Sequence, residues 1–196
     1  MKFWLRIYIF SLVLFICTFN FAGVLIVEKI FSESLKREIE MCLGEHLSMC
    51  SAVNLSMPVY NTLKRYSRYT LSDDQAIYNV VNDYSTKNKL EGHDVSIEIL
   101  DLDNNVIFSN VNFELPNKRE ELESLNESTR KYILRDINDR SYIFISSLLV
   151  NNSTYYFSYI KNISAVYSEK KQLYLFFIKL DVIVSIAFMV FMYFIS

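Results

Sequence analysis

Apolar and polar positions along the chain fall into four regimes. Residues 7–27 are apolar without a charge for 21 positions, framed by Lys2 and Arg6 before them and by Glu28 and Lys29 after. From 27 to 53 the spacing becomes helical, with Val27, Phe31, Leu35, Ile39, Leu43, Leu47 and Cys50 on one stripe and a charged face opposite. After Gly92 the period drops to two, and from 176 to 196 the chain is again almost wholly apolar.

The helical regime predicts one long amphipathic helix, with Gly44 as a candidate break and Met57-Pro58 as its end, since proline removes a donor and restricts the residue before it. A second helix is expected over 59–69. Ser72-Asp73-Asp74-Gln75 has the spacing of a capping box, opening a helix with Ile77, Val80, Val81 and Tyr84 on one face and ending near Leu90-Glu91-Gly92.

In the period-two regime Val95, Ile97 and Ile99 alternate with Ser96 and Glu98. Asp101-Leu102-Asp103-Asn104-Asn105 reads as a turn and 106–109 as the returning strand of a hairpin. Leu115-Pro116 interrupts the pattern, and 118–127 is a polar loop with a helical turn. Strands follow over 130–137, 142–150 and 155–160, separated by Asn138-Asp139-Arg140 and Asn151-Asn152-Ser153. Helices segregated from a five-stranded antiparallel meander give an α+β fold.

Both apolar runs are long enough for membrane helices, which need about 20 apolar residues, the second because it begins near Phe176 and takes in Lys179 and Asp181. The first is longer than a signal peptide's core, and no small-residue cleavage site follows it. The organisation is therefore 1–6 cytoplasmic, 7–27 transmembrane, 28–175 extracytoplasmic and 176–196 transmembrane. Lys2 and Arg6 set the N-terminus inside by the positive-inside rule. Lys179 and Asp181 sit within the outer part of the second span. The bulk of the chain then lies outside a cell membrane, with lipid as one partner.

Composition narrows the chemistry. Three glycines in 196 residues cannot build a phosphate-binding loop, and a formal charge of −2 argues against nucleic acid as a partner. A mean hydropathy of +0.16 suits a chain with two spans. Of the three cysteines, Cys17 lies in a span; Cys42 and Cys50, eight residues apart on one helix, are too distant to bridge. Cys42, His46 and Cys50 do share a helix face, but they are also core positions, so free buried thiols and no metal are expected. Asp101, Asp103 and Asn105 begin like a Ca²⁺ loop, yet Val106 and Asn112 replace the glycine and glutamate such a loop needs. No glycine-framed serine nucleophile is present, and the Asn-x-Ser/Thr triplets at 54, 126, 151, 152 and 162 fit chance in an asparagine-rich chain.

A span, a long helix, a sheet carrying the turn at 101–107 and a final span together resemble the extracytoplasmic PAS-like, or single Cache, sensors of bacterial transmembrane receptors. The strand pair Tyr142-Ile143-Phe144-Ile145-Ser146-Ser147 and Tyr155-Tyr156-Phe157-Ser158-Tyr159-Ile160, running on into Lys170-Lys171-Gln172-Leu173-Tyr174, is similar to that of Firmicute sensor histidine kinases. The resemblance implies the input module of a two-component sensor that binds an extracellular ligand, acts as a homodimer and addresses a response regulator. ATP and Mg²⁺ would belong to an output domain not in this chain. This chain itself carries no phospho-acceptor motif: His46, in Glu45-His46-Leu47-Ser48, has no proline close by and lies on the outer side, and His93 follows Gly92 in a loop, so no catalytic residue or cofactor is expected here. The resemblance places the ligand pocket on the aromatic strand residues, with Tyr132, Arg135, Tyr142, Phe144, Tyr155, Phe157 and Tyr159 as candidates and Lys131 beside them. Other readings are the input half of a chemoreceptor or cyclase, or a membrane-tethered scaffold or accessory subunit of an envelope complex.

Overall fold

The computed structural model describes residues 3–66, 72–90, 95–116, 118–150 and 153–195. Its elements are α1 (Phe3–Tyr66), α2 (Asp73–Leu90), β1 (Val95–Leu100), β2 (Val106–Ser109), β3 (Arg130–Ile137), β4 (Arg140–Val150), β5 (Thr154–Asn162) and α3 (Ser164–Ile195). The fold is α+β, with one antiparallel sheet in the order β2-β1-β5-β4-β3. The chain divides into two compact units, residues 38–164 and the pair 1–37 with 165–196. His93 and the expected helix end at Gly92 lie outside the described residues, as do Asn151 and Asn152 of the last turn.

In the larger unit α1 lies on one face of the sheet. Its buried positions are Cys42, His46, Met49, Val53 and Met57, a stripe of spacing three and four. This corrects the sequence reading, in which Leu47 shared the packed face: Leu47 is 45% exposed. Cys42 and His46 take the core positions that their spacing predicts. Pro58 corrects a second expectation. The helix runs through it to Tyr66 without a break at Gly44, so the separate helix over 59–69 is part of α1. Proline forfeits one backbone bond, and Met57, 2% exposed, is anchored just before it.

The capping box forms as its spacing predicts: Gln75 N–H donates to Ser72 Oγ and Ser72 N–H to Gln75 Oε1, both at 3.2 Å. Helix α2 then buries Ala76, Ile77, Val80 and Val81. Its start is tied to β5 by Tyr155 Oη donating to Asp74 (2.8 Å), and its later part to β2 by Asn110 Nδ2 donating to Ser85 (2.7 Å). The β1–β2 turn is closed by Asp101, whose carboxylate accepts from the Asn105 backbone and side chain at 2.7 Å. Asn138 and Asp139 take φ of 50° and 60°, making the two-residue turn that matches strand twist.

Register decides which side chains share a face. Phe157 pairs with Ile99 and Ser147, Tyr159 with Ile97 and Ile145. These residues face α1, and His46 meets the rings of Phe157 and Tyr159 edge-on at 5.4 and 6.5 Å. Tyr142, Phe144 and Ile160 form a core on the opposite face, under Val111, Phe113 and Leu115 of the 110–129 connection.

In the smaller unit two helices are long and apolar enough to cross a membrane. Phe19 stacks on Phe177 at 5.0 Å and Phe15 on Phe188 at 5.1 Å. Gly23 is buried, and a Cβ there would overlap the Phe177 ring. Asn20 Nδ2 donates to Asp181 at 3.1 Å, and Glu28 accepts from Lys170 (3.0 Å) and Tyr174 (2.6 Å).

His46 makes the larger unit's stability pH-dependent. Burial, with the charge of Arg130, pulls its pKa down to about 4, against a bond to the Phe157 backbone that favours the charged form. The unfolded chain takes up a proton near pH 6.5 and the folded one only near 4, so stability falls as pH drops through that window and stays flat above it. The loss expected is about 3 kcal/mol. Urea unfolding of the micelle-held chain by near-UV circular dichroism should show it between pH 7 and 4, and His46→Gln should flatten the slope.

Candidate functional site

On the sheet face away from α1, a row of polar side chains crosses the apolar floor. Register places Ser109 beside Glu98, Glu98 beside Ser158, Ser158 beside Ser146 and Ser146 beside Lys131. Ser146 and Ser158 are fully buried and hydrogen-bond each other at 2.8 Å. Glu98 is 3% exposed and projects from β1 beneath the 110–129 connection.

That connection supplies the partners. Arg119 reaches Glu98 Oε2 at 2.6 Å through Nη1 and Glu121 Oε1 at 2.5 Å through Nε. Glu121, fully buried, takes Arg135 Nη2 from β3 on its other oxygen at 2.7 Å. Arg135 also donates to the Lys118 carbonyl at 2.8 Å and lies over the Phe144 ring at 5.4 Å. Glu98, Arg119, Glu121 and Arg135 thus alternate in sign as a chain of four. Burial opposes the charge of Arg119, but its bond to Glu121 and the charge of Glu98 outweigh it and raise its pKa.

The chain of charges is incomplete at one end. Arg119 Nη2 is buried without a hydrogen-bond partner, and Glu98 Oε2 sits in the ion pair without a hydrogen bond. A desolvated guanidinium edge beside a carboxylate edge leaves hydrogen-bonding capacity unmet within the fold. The arrangement contains no nucleophile poised beside a base, and among the described residues no three His, Cys, Asp or Glu side chains converge as metal ligands.

The sheet divides the seven pocket candidates. Arg135, Tyr142 and Phe144 belong to this face. Tyr155, Phe157 and Tyr159 point to the helix side and are buried to 2% or less, and Tyr132, paired with Ile145, shares that side at 46% exposure. Burial, followed by the bond to Asp74, pushes the Tyr155 hydroxyl up to about 12; burial and the bond to Glu45 raise Tyr159 as well. Sequence reasoning missed Glu98, Arg119 and Glu121. Glu98 carried a signal, as the one acid in an otherwise apolar-alternating strand; Arg119 and Glu121 sit in a charged loop and carried none.

Glu121→Ala would strand two guanidinium groups, one of them already short of a partner, and is expected to cost about 3–5 kcal/mol in urea unfolding. Lys118→Ala removes a pair whose members are 73% and 49% exposed and should change stability by less than about 0.5 kcal/mol. Compared with family models, characterised proteins and solved structures, the chain matches none.

Proposed function

We propose that this chain is the extracytoplasmic PAS-like, or Cache, input module of a two-component sensor histidine kinase, with its two apolar helices in the cell membrane and the α+β unit outside. A ligand entering the charged face beneath the 110–129 connection is the signal. ATP, Mg²⁺ and contact with a response regulator belong to an output domain on the cytoplasmic side.

The observation that carries this reading is the join between sheet and exit helix. Strand β5 ends at Asn162 and α3 starts at Ser164, leaving only Ile163, 1% exposed, between them. Ile163 N–H donates to the Ser141 carbonyl at 2.8 Å, Ser141 N–H donates to Ser164 Oγ at 2.9 Å, and Ser164 N–H is capped by Asn162 Oδ1 at 2.9 Å. Ser141 in turn donates its hydroxyl to Asp136 at 2.6 Å, the neighbour of Arg135. A rearrangement of the Arg135–Glu121 pair has a short hydrogen-bonded path to the first turn of α3, with no loop to absorb it. A ligand that favoured a second arrangement of this join would act on α3 directly. Dimerisation is assigned to the outer face of α1, where Met41, Leu55 and Val59 are 46%, 76% and 61% exposed and a Cβ at Gly44 would meet nothing within 4 Å.

Fusing the chain to a reporter kinase core tests the relay. One residue inserted after Ser168 rotates everything beyond it by about 100°. Kinase output should shift several-fold, and a four-residue insertion, which restores the phase, should return it most of the way. Output indifferent to phase would end the proposal.

A further inference from the structure

The 110–129 connection is held in two different ways, and its ends are the firm part. At the near end Asn110 N–H donates to the Ile97 carbonyl (3.1 Å), Asn110 Oδ1 accepts from Ile97 N–H (2.6 Å) and Asn110 Nδ2 donates to Ser85 (2.7 Å). At the far end a turn closes on itself: Asn126 N–H donates to Thr129 Oγ1 (2.8 Å), and Thr129 N–H to the Asn126 carbonyl (3.1 Å). Between these ends, among the described residues, no backbone–backbone hydrogen bond joins 111–125 to a strand. Side chains do the holding there: Arg119 on Glu98, Arg135 on Glu121, and Lys131 and Arg135 on the Glu120 and Lys118 carbonyls.

Opening returns much of what these contacts contribute. An ion pair that opens into water regains the hydration of both charges, so it holds less firmly than its short distance suggests. Arg119 Nη2, buried without a hydrogen-bond partner while the connection is closed, gains water when it lifts. Closure also keeps Ser124 at a φ of 59°; of the four non-glycine residues at positive φ among the described residues, it alone is neither Asn nor Asp. The apolar hold is small in number: Val111, Phe113, Leu115 and Leu122, of which only Leu122 is buried.

Beneath lies a floor with no other cover on that side. Tyr142, Phe144 and Ile160 pack against Val111, Phe113 and Leu115, and Ser146 and Ser158 between the strands' charged neighbours are fully buried. The strands themselves are joined by continuous ladders, from Tyr142–Asn162 to Val150–Thr154 and from Arg130–Ser147 to Ile137–Arg140. The sheet therefore keeps its backbone pairing when the connection leaves it.

We propose that residues 111–125 are a strap that opens as a unit between fixed ends, leaving the sheet intact and uncovering the floor of Tyr142, Phe144, Ser146 and Ser158. The strap is the gate to the face where the proposed function puts the signal, and its purpose rests on that reading. The opening itself is a property of the chain without ligand.

Thiol labelling of the full chain in detergent micelles tests it. Cys17→Ser and Cys50→Ser leave Cys42, buried under α1 on the other sheet face, to report global unfolding. Ser146→Cys, a near-isosteric change, puts a second thiol on the floor. A water-soluble thiol reagent should label position 146 at least about tenfold faster than Cys42, with less than about half its dependence on urea. Arg119→Gln should raise the rate at 146 several-fold, and Ser124→Gly, which accepts the positive φ, should lower it, with Cys42 unmoved in both. Equal rates and equal urea dependence at the two thiols would mean the floor is uncovered only by unfolding, and would overturn the strap. So would labelling at 146 as fast as in the urea-unfolded chain, which would mean no closed strap exists. No kinase or ligand takes part, so the strap can fail here with the relay intact, and the relay can fail in the reporter fusion with the strap standing.

Discussion

The contact on which the α+β unit depends is that between α1 and the inner sheet face. Val53 and Met57 are 1% and 2% exposed, and Ile97, Ile99, Ile143, Ile145, Phe157 and Tyr159 opposite are all at 2% or less. Each such side chain contributes about 1.5–3 kcal/mol by leaving water. Helix α2 adds Ala76, Ile77, Val80 and Val81 to the buried set. The contact with the sheet explains the polar residues that α1 presses inward. Glu45 accepts from the Tyr159 hydroxyl and from Lys161 at 3.3 Å, and Lys161 pairs with Glu38 at 3.3 Å, so the helix edge closes over its core with paired groups.

The opposite face is built on another principle. The 110–129 connection brings few apolar side chains, chiefly Val111, Phe113, Leu115 and Leu122, and is held down by cations of β3. Lys131 donates to the Glu120 carbonyl at 2.5 Å and Arg135 to that of Lys118, so the strand's basic residues satisfy loop carbonyls that no ladder reaches. Ion pairs in such a setting add little net stability over an apolar isostere, yet removing one member is costly.

How much of this was legible in the sequence follows from what each signal encodes. The capping box, the hairpin at 101–105 and the turn at 138–139 are local, and residue type alone specifies them. The period of two exposed the strands for the same reason. Leu47 failed because tertiary packing sets which stripe of α1 is buried, and Pro58 because the loss of one backbone bond does not by itself end a helix. The aromatic candidates fall on two faces of the sheet for a different reason. Parity along one strand puts Tyr155, Phe157 and Tyr159 together, but only the pairing of Tyr142 with Asn162 and Phe144 with Ile160 shows that Tyr142 and Phe144 face the other way. Register is a property of two strands, and no single stretch contains it. Glu121 is further out of reach, since its burial depends on a loop folding back over β1 and β3.

The smaller unit shows what polar residues do within apolar helices. Contacts pair Phe15 with Phe188, Asn20 with Asp181, Gly23 with Phe177, Glu28 with Tyr174 and Phe31 with Tyr167, an antiparallel register kept over 16 residues of α1. At 1.5 Å per residue that is about 24 Å, most of a hydrocarbon core if these helices span one. Apolar contacts alone would tolerate a slip of one turn, because lipid offers α3 the same packing. The polar groups do not. A slip of four residues would set Asn20 against Ser185 or Phe177, leaving Asp181 without its amide. It would also take Glu28 from Lys170 and Tyr174 together. Two polar contacts eight residues apart on α1, with a glycine notch holding an aromatic ring between them, allow one register and exclude its neighbours. A pair of helices so matched can tilt or turn as a unit, whereas sliding one along the other would break both contacts at once.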